Sequence, residues 1–356
     1  MIYVTRPPLP DRERLSKYID RIYSTHQLTN NGPLVQELTE RLKDHLGVDN
    51  LLLVANGTIA LQIALKLLDV QGEVVTTPFT FPATSSSVVW HGAKPVYADI
   101  DPDTLNIDLD QAVAKINGET GAALVTHVYG NPCDVEKMDS MMATQEISVI
   151  YDAAQSFGVK SEKSVFSYGE ISTISFHATK IFHTVEGGAL VFRNPELLEE
   201  AARMINFGFD SNGYIFSLGI NGKMNEFEAA MGLAILDETD EINAALRTLF
   251  RTYEAELTAE LQRPVWNKDF SRNYSYYPVL FESEKQLLRV ENRLNGQGIN
   301  PRRYFKPSLD TVPVYGGRSD CPVSQHAVRR VMCLPIYSTL PLEEVSRICS
   351  LVNSAL

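Results

Sequence analysis

Ile171-Ser-Thr-Ile-Ser-Phe-His-Ala-Thr-Lys180, followed by Glu186-Gly-Gly-Ala-Leu-Val-Phe192, is the stretch on which the fold turns. An apolar, strand-like run ends in a lysine, a glycine pair follows, and a second apolar run returns. In isolation Lys180 is an ordinary loop lysine. Its company changes that reading. Upstream, Val149-Ile-Tyr-Asp-Ala-Ala-Gln155 places Asp152 at the mouth of an apolar run. Leu51-Leu-Leu-Val-Ala-Asn-Gly-Thr58 is a strand that breaks into a turn able to hold an anion. Open α/β sheets carry ligands beyond the carboxyl ends of their strands, which is where Asp152 and Lys180 should stand.

Periodicity elsewhere supports that sheet. Residues 11–25 form a helix with Leu15, Ile19 and Ile22 on one face, and Leu34, Leu38, Leu42 and Leu46 mark a second that Gly47 closes. Short β-rich runs at Glu73 to Pro78, Pro95 to Ile100 and Ala123 to Val128 alternate with helical candidates such as Leu109 to Val113. That alternation predicts a mostly parallel α/β sheet with helices on both faces. Ile242, Leu246, Phe250, Tyr253, Leu257 and Leu261 predict a long amphipathic helix. It joins a larger domain, residues 1–240, to a smaller C-terminal α/β domain, residues 241–356. Within the latter, Tyr276 to Phe281 reads as a strand, Glu284 to Leu294 as a helix and Pro341 to Val352 as a closing helix.

The chain has 356 residues, 44% hydrophobic and 21% charged, enough for two domains of an ordinary soluble protein. A formal charge of −12 disfavours nucleic acid or an anionic membrane as partner. It does not forbid a local anion pocket built from backbone donors. No apolar run approaches the length of a membrane span, and the start lacks a signal-like stretch, so a cytoplasmic location is expected. Cys133, Cys321, Cys333 and Cys349 are scattered without a CxxC pair, and the histidines show no ligand spacing, so no structural metal is expected.

A strand-end aspartate, a strand-end lysine and a Gly-Thr helix start are three parts that a pyridoxal phosphate site needs. Asp152 can pair with a protonated pyridine nitrogen and keep the ring electron-withdrawing. Gly57 lets the backbone approach an anion, the first helical amides are free donors, and Thr58 adds a hydroxyl. Lys180 can bond an aldehyde and then, released, shuttle a proton. Arginine stays charged and histidine cannot make the imine, so neither does both jobs. Ser175 ends the lysine's strand, with Ile174 and Phe176 turned toward packing. Phe81 is either a core cap or the flat apolar surface such a ring needs.

These segments, with Gly219-Ile-Asn-Gly-Lys-Met-Asn-Glu226, resemble the DegT/DnrJ/EryC1/StrS family of nucleotide-sugar aminotransferases, from about Pro7 to Pro341. The resemblance implies fold type I, the aspartate aminotransferase-like architecture, with pyridoxal 5′-phosphate as cofactor. It makes Lys180 and Asp152 the catalytic pair, and Gly57, Thr58, Ser175 and Asn221 the phosphate's neighbours. Phe81 becomes the stacking aromatic and Gln155 a contact near the ring oxygen. In the family the residue matching Asn221 crosses a homodimer interface, so each site is completed by the partner chain. The turn Thr29-Asn-Asn-Gly-Pro33, which by itself reads as punctuation, resembles a segment that approaches substrate through Thr29 and Gly32. Arg302 and Tyr304, by themselves surface residues, match a stretch that reaches nucleotide or sugar. His127 reads as a satisfied structural histidine. Glu186 reads equally as a loop-orienting residue or half of a salt bridge, and Val185 stands where the family often has glycine.

Lysine at position 180 implies transamination, since some relatives with histidine there dehydrate instead. Ser-Phe-His-Ala-Thr-Lys with Glu186-Gly-Gly is most similar to members that aminate C4 of a 4-keto-6-deoxy sugar nucleotide. The expectation is therefore transfer from L-glutamate to a dTDP-4-keto-6-deoxyhexose. A C3-aminating enzyme and a non-enzymatic protein with a vestigial site are the alternatives.

Overall fold

The computed structural model describes residues 1–316 and 320–356. In chain order, β1 (Ile2–Tyr3), α1 (Arg12–Thr25) and α2 (Pro33–Leu46) precede β2 (Leu51–Val54), α3 (Gly57–Leu67), β3 (Glu73–Thr76) and α4 (Pro82–His91). Next come β4 (Lys94–Tyr97), α5 (Leu109–Ala114), β5 (Thr120–Thr126), α6 (Val135–Thr144), β6 (Ser148–Asp152), β7 (Ile171–Ser175) and β8 (Gly188–Phe192). Then follow α7 (Pro195–Met204), α8 (Glu226–Leu236) and α9 (Thr239–Glu256). The C-terminal part adds β9 (Tyr277–Leu280), α10 (Glu284–Asn295), β10 (Ile299–Asn300), α11 (Pro322–Arg330), β11 (Val331–Leu334) and α12 (Leu342–Asn353).

A seven-stranded sheet in the order β2-β8-β7-β6-β5-β3-β4 forms the centre. Strands β4, β3, β5, β6 and β7 run parallel, and β8 is antiparallel to both neighbours. Side chains alternate between the two faces, as a pleated strand requires. Val74, Leu124 and Ile150 join a core with α3 and α7. Val75, Val125 and Tyr151 join the larger core with α2, α8 and α9. That larger core continues into Tyr277, Leu287 and Ile348, so the small C-terminal domain packs on the sheet's helices without a break.

The predicted long helix ends earlier than its apolar spacing suggests. Asn353 of α12 donates from its side chain to the carbonyl of Glu256 (2.8 Å) and accepts from the Thr258 amide (3.1 Å). Leu257 turns extended at ψ 140°, and Leu261 reaches the core from the following loop. A side chain from another element has capped the helix, which sequence periodicity does not register. No helix among the described residues is long and apolar enough to cross a membrane.

The start of α2 shows how the N-terminal turn is held. Its cap residue is Gly32, which offers no side chain, and the fully buried carboxylate of Glu226 takes its place. Glu226 accepts from the amides of Leu34 and Val35, both at 2.9 Å. A Cβ on Gly32 would lie 2.5 Å from the Glu226 carboxyl carbon, so only glycine admits this approach. Glu226→Gln keeps one acceptor but turns an N–H₂ toward the second amide. It should lower stability by about 2 kcal/mol, the scale for a buried donor left unpaired. An unchanged urea midpoint would argue against the cap.

Candidate active site

Asp152 closes β6, where the register sets it opposite Thr126 on one side and Thr173 on the other. Its carboxylate is 5% exposed. One oxygen accepts from the Thr84 hydroxyl at 2.7 Å and the other from the Ala154 amide at 3.2 Å. Thr84 sits one turn into α4, and Thr80 and Thr126 extend the hydroxyl chain behind it with contacts of 2.9 Å each. Burial pushes the Asp152 carboxyl above the usual carboxylate range. The Thr84 and Ala154 hydrogen bonds and the charge of Lys180 pull it partly back.

Lys180 lies past the end of β7, in a turn where its amide donates to the His177 carbonyl at 2.9 Å. Its ammonium is half-buried and donates to the Tyr276 hydroxyl at 3.3 Å. Burial lowers the lysine pKa, while Asp152 and Tyr304 raise it. Tyr276 comes from the C-terminal domain, just before β9. Burial pushes its phenol upward, opposed by a hydrogen bond with Gln155. Gln155 in turn accepts from the Tyr129 amide at 2.6 Å. Asp152, Gln155, Lys180 and Tyr276 therefore form one cluster of buried and half-buried groups.

Beside it, α3 opens toward the end of β7. Asn56 caps the helix by accepting from Ile59 at 2.8 Å. Among the described residues, no protein acceptor takes the amides of Gly57 or Thr58. Gly57 is pressed against Ser175: a Cβ there would meet the serine Cβ at 2.9 Å. Gly188 makes a second close approach, its would-be Cβ 2.8 Å from the Gly57 nitrogen. Two open helical amides, the Ser175 hydroxyl and the exposed Thr58 make a cradle suited to a phosphate. Phe81 precedes α4, one turn before Thr84, and is 57% exposed, whereas Phe79 is fully buried. Phe81 is thus not a core cap, and its ring is open to a ligand. These residues fit pyridoxal phosphate: an anion cradle, a buried carboxylate and an open aromatic face.

The remaining candidates are arranged differently. Tyr304 is half-buried, packs edge-on to Tyr276 at 6.1 Å and so adjoins the lysine. Arg302 is exposed, its guanidinium 5.9 Å from the Tyr304 ring. Neighbouring Arg303 instead clamps Glu284 at 2.9 Å and the carbonyl of Val328 at 3.1 Å. Asn221 bridges Asn206, and the next carbonyl, Gly222, accepts from Ala55 at 2.8 Å. Thr29 is exposed, and Gly32 faces Glu226 as described above.

His127 stacks on Tyr151 at 4.8 Å, and burial pushes its pKa down to about 3, so the ring is neutral. Its Nδ1 meets the Cys133 amide at 3.4 Å, but Nε2 has no partner among the described residues; the histidine is structural yet only half satisfied. Glu186 pairs with His177 at 3.6 Å. Thr84 and Tyr276 were not singled out from the sequence. Thr84 had a signal, since it stands three residues after Phe81 on a helix start. Tyr276 had none, because only folding brings it across 96 positions to Lys180.

Residues 10–353 match the model of the DegT/DnrJ/EryC1/StrS aminotransferase family. A dTDP-4-amino-4,6-dideoxy-D-glucose transaminase of Shigella dysenteriae is 40% identical, covering 99% of this chain and 98% of its own. A transaminase of the same name from Escherichia coli is 34% identical with the same coverage of both chains. Among solved structures, DesI in the presence of its TDP-sugar product matches with a TM-score of 0.94 at 31% identity, over 99% of this chain and 92% of that one. The sugar aminotransferase CalS13 from Micromonospora echinospora gives 0.92 at 25% identity, over 100% of both. The architecture is that of fold type I, with a mixed sheet, flanking helices and a smaller C-terminal domain.

Two predictions follow from the site's energetics. A carboxyl whose folded pKa is raised favours the folded state below the unfolded pKa and disfavours it once ionised. In ligand-free protein, Asp152→Asn should therefore melt above wild type at pH 7, with the gap closing as the pH falls to about 4. A gap that stays constant with pH would contradict the burial argument. Val185, meanwhile, holds φ at +70°, a conformation that crowds a β-branched side chain. Val185→Gly should raise stability by about 1 kcal/mol, because relief of strain exceeds glycine's entropy cost. Differential scanning calorimetry measures both.

Proposed function

This chain belongs to the DegT/DnrJ/EryC1/StrS aminotransferase family, and on that premise we propose that it moves an amino group from L-glutamate to a dTDP-4-keto-6-deoxyhexose, using pyridoxal 5′-phosphate. The observation that carries this is the convergence of Asp152 and Lys180, from adjacent strand ends, beside the Gly57–Ser175 cradle. Bound pyridoxal phosphate supplies an aldehyde that accepts the amine and a ring that withdraws electrons from the reacting carbon.

The protein's own groups do the rest. The Gly57 and Thr58 amides and the Ser175 hydroxyl would take the phosphate. The Asp152 carboxylate would hold a proton on the ring nitrogen, and Phe81 would offer its apolar face to the ring. Lys180 Nζ would hold the cofactor and, when free, would be placed to take up and return the proton of the donor's Cα. Burial lowers its pKa, so neutral amine, the form that accepts a proton, is more abundant near pH 7. Tyr276 orients that nitrogen from the C-terminal domain, and Gln155 fixes Tyr276. Glutamate would give up its amine, take its new keto oxygen from water and leave as 2-oxoglutarate. In the return half, the sugar's C4 ketone loses its oxygen as water and gains the amine, giving a dTDP-4-amino-4,6-dideoxyhexose.

The substrate assignment, dTDP-4-keto-6-deoxy-D-glucose in particular, rests on the Shigella and Escherichia relatives, both named for the corresponding 4-amino sugar. The acting species is proposed to be a homodimer. Tyr214, Ile215, Phe216 and Leu218 each expose more than 70% of their surface beside Asn221, a patch suited to burial against a second copy. Asn221 would complete the partner's phosphate cradle, and Thr29, Arg302 and Tyr304 would line the approach of the sugar nucleotide. Gly32 serves there through its packing on Glu226. The proposed domain boundary, between residues 240 and 241, falls in the first turn of α9.

Borohydride reduction of the cofactor-loaded enzyme, followed by peptide mapping, should place the pyridoxyl label on Lys180. Lys180→Ala should lose glutamate-dependent transfer by about 10³-fold or more. A label elsewhere, or a variant that retains transfer, overturns the assignment.

A further inference from the structure

A crevice lies between α9 and the run from Arg263 to Pro278, lined by Phe250, Glu254, Arg263, Trp266, Arg272 and Tyr274 among others. About 80 Å³ of it admits water-sized molecules; its lining includes none of Asp152, Lys180, Gly57 or Ser175, but shares Tyr276 and Tyr129 with the cluster around Lys180. Arg272 is its unusual member. The guanidinium carbon sits 4.9 Å from the Trp266 ring centre and 5.2 Å from that of Phe250, so aromatic rings flank it. Among the described residues, Arg272 has no carboxylate within 4.0 Å and none of its side-chain N–H groups meets a protein acceptor. Neighbouring Arg263 is the opposite case: it pairs with Glu254 at 3.2 Å and also donates to the Tyr277 hydroxyl and the Leu261 carbonyl, both at 2.9 Å.

The charges of the lining follow from this. Arg263 compensates Glu254, which leaves one positive charge, on Arg272. Rings against a guanidinium satisfy its faces by cation–π attraction and leave its N–H edge for an acceptor. A planar fork of donors matches a planar carboxylate in two parallel hydrogen bonds. Trp266, and Tyr274 in the same lining, offer a flat apolar surface to whatever carries that carboxylate.

We propose that this crevice is a second ligand site, adjoining the amine-transfer centre at Tyr276 but anchored away from it, that binds a small carboxylate monoanion on a flat apolar ring with Arg272 as its anchor. The chain's two tryptophans make it testable, since Trp90 is remote in sequence and 83% exposed while Trp266 lines the crevice. In a Trp90→Phe background, holoenzyme titrated with benzoate should show a saturable change in Trp266 fluorescence. Benzamide, equal in shape but neutral, should give none. Phenyl phosphate, a dianion beside Glu254, should bind more weakly than benzoate. Arg272→Gln should abolish the benzoate response, and Arg272→Lys, which keeps the charge but loses the planar fork, should weaken it about tenfold. Circular dichroism checks that each variant folds; if Arg272→Gln does not, Arg272→Lys decides. No saturation, equal binding of benzamide, tighter binding of phenyl phosphate, or a response indifferent to the arginine variants overturns the site.

Discussion

Asp152 is a carboxylate with almost no access to water, held at the carboxyl end of the central strand β6 by one threonine hydroxyl and one backbone amide. Removing charge from water is expensive, and a buried group answers by shifting its pKa toward the neutral form. Asp152 is pushed up and Lys180 is pushed down, each only partly rescued by the other's charge. Much of the surrounding structure bears on this pair. The threonine chain from Thr126 through Thr80 to Thr84 orients the carboxylate, and Tyr276 with Gln155 orients the lysine. Under the proposed function, a protonated ring nitrogen and an aldehyde are the partners that these two strained groups lack.

The scaffold around the pair depends on close backbone approaches. Gly57 against Ser175, Gly188 against the start of α3, and Gly32 against Glu226 each leave less space than a methyl group requires. The first two bring the end of β7 and the first turn of α3 together, so a hydroxyl and two amides face one small volume. The third anchors the N-terminal turn to α8, the helix that follows Asn221. A shared core extends these constraints to the C-terminal domain, because Tyr277 of β9 packs on Phe250 and Tyr253 of α9. Tyr276 is thereby delivered to Lys180 by packing that involves neither residue's chemistry.

The crevice at Arg272 obeys a different logic from the Asp152 pocket. There two opposite charges lie buried near one another, and hydrogen bonds moderate the cost. Here one guanidinium is flanked by aromatic rings, and Glu254, whose charge also reaches it, is already paired with the neighbouring Arg263. Both rely on low-dielectric surroundings to make a small number of polar contacts count.

By itself the sequence determined those features that depend on local order. Alternating apolar strands and four-residue leucine spacing placed β2, β3, β6, β7 and α2, since periodicity is a property of neighbouring residues. Lys180, Asp152 and Gly57 stood out because each lies at the end of such an element. Tertiary structure alone decided what depends on distant segments meeting. It brought Tyr276 to Lys180, gave Gly32 a packing duty against Glu226, and stopped α9 at Glu256 with a side chain from α12. It also left one nitrogen of His127 without a partner among the described residues, where a fully satisfied histidine had been expected. None of these contacts has a sequence period or a nearby partner; each exists because two surfaces far apart along the chain bury themselves together.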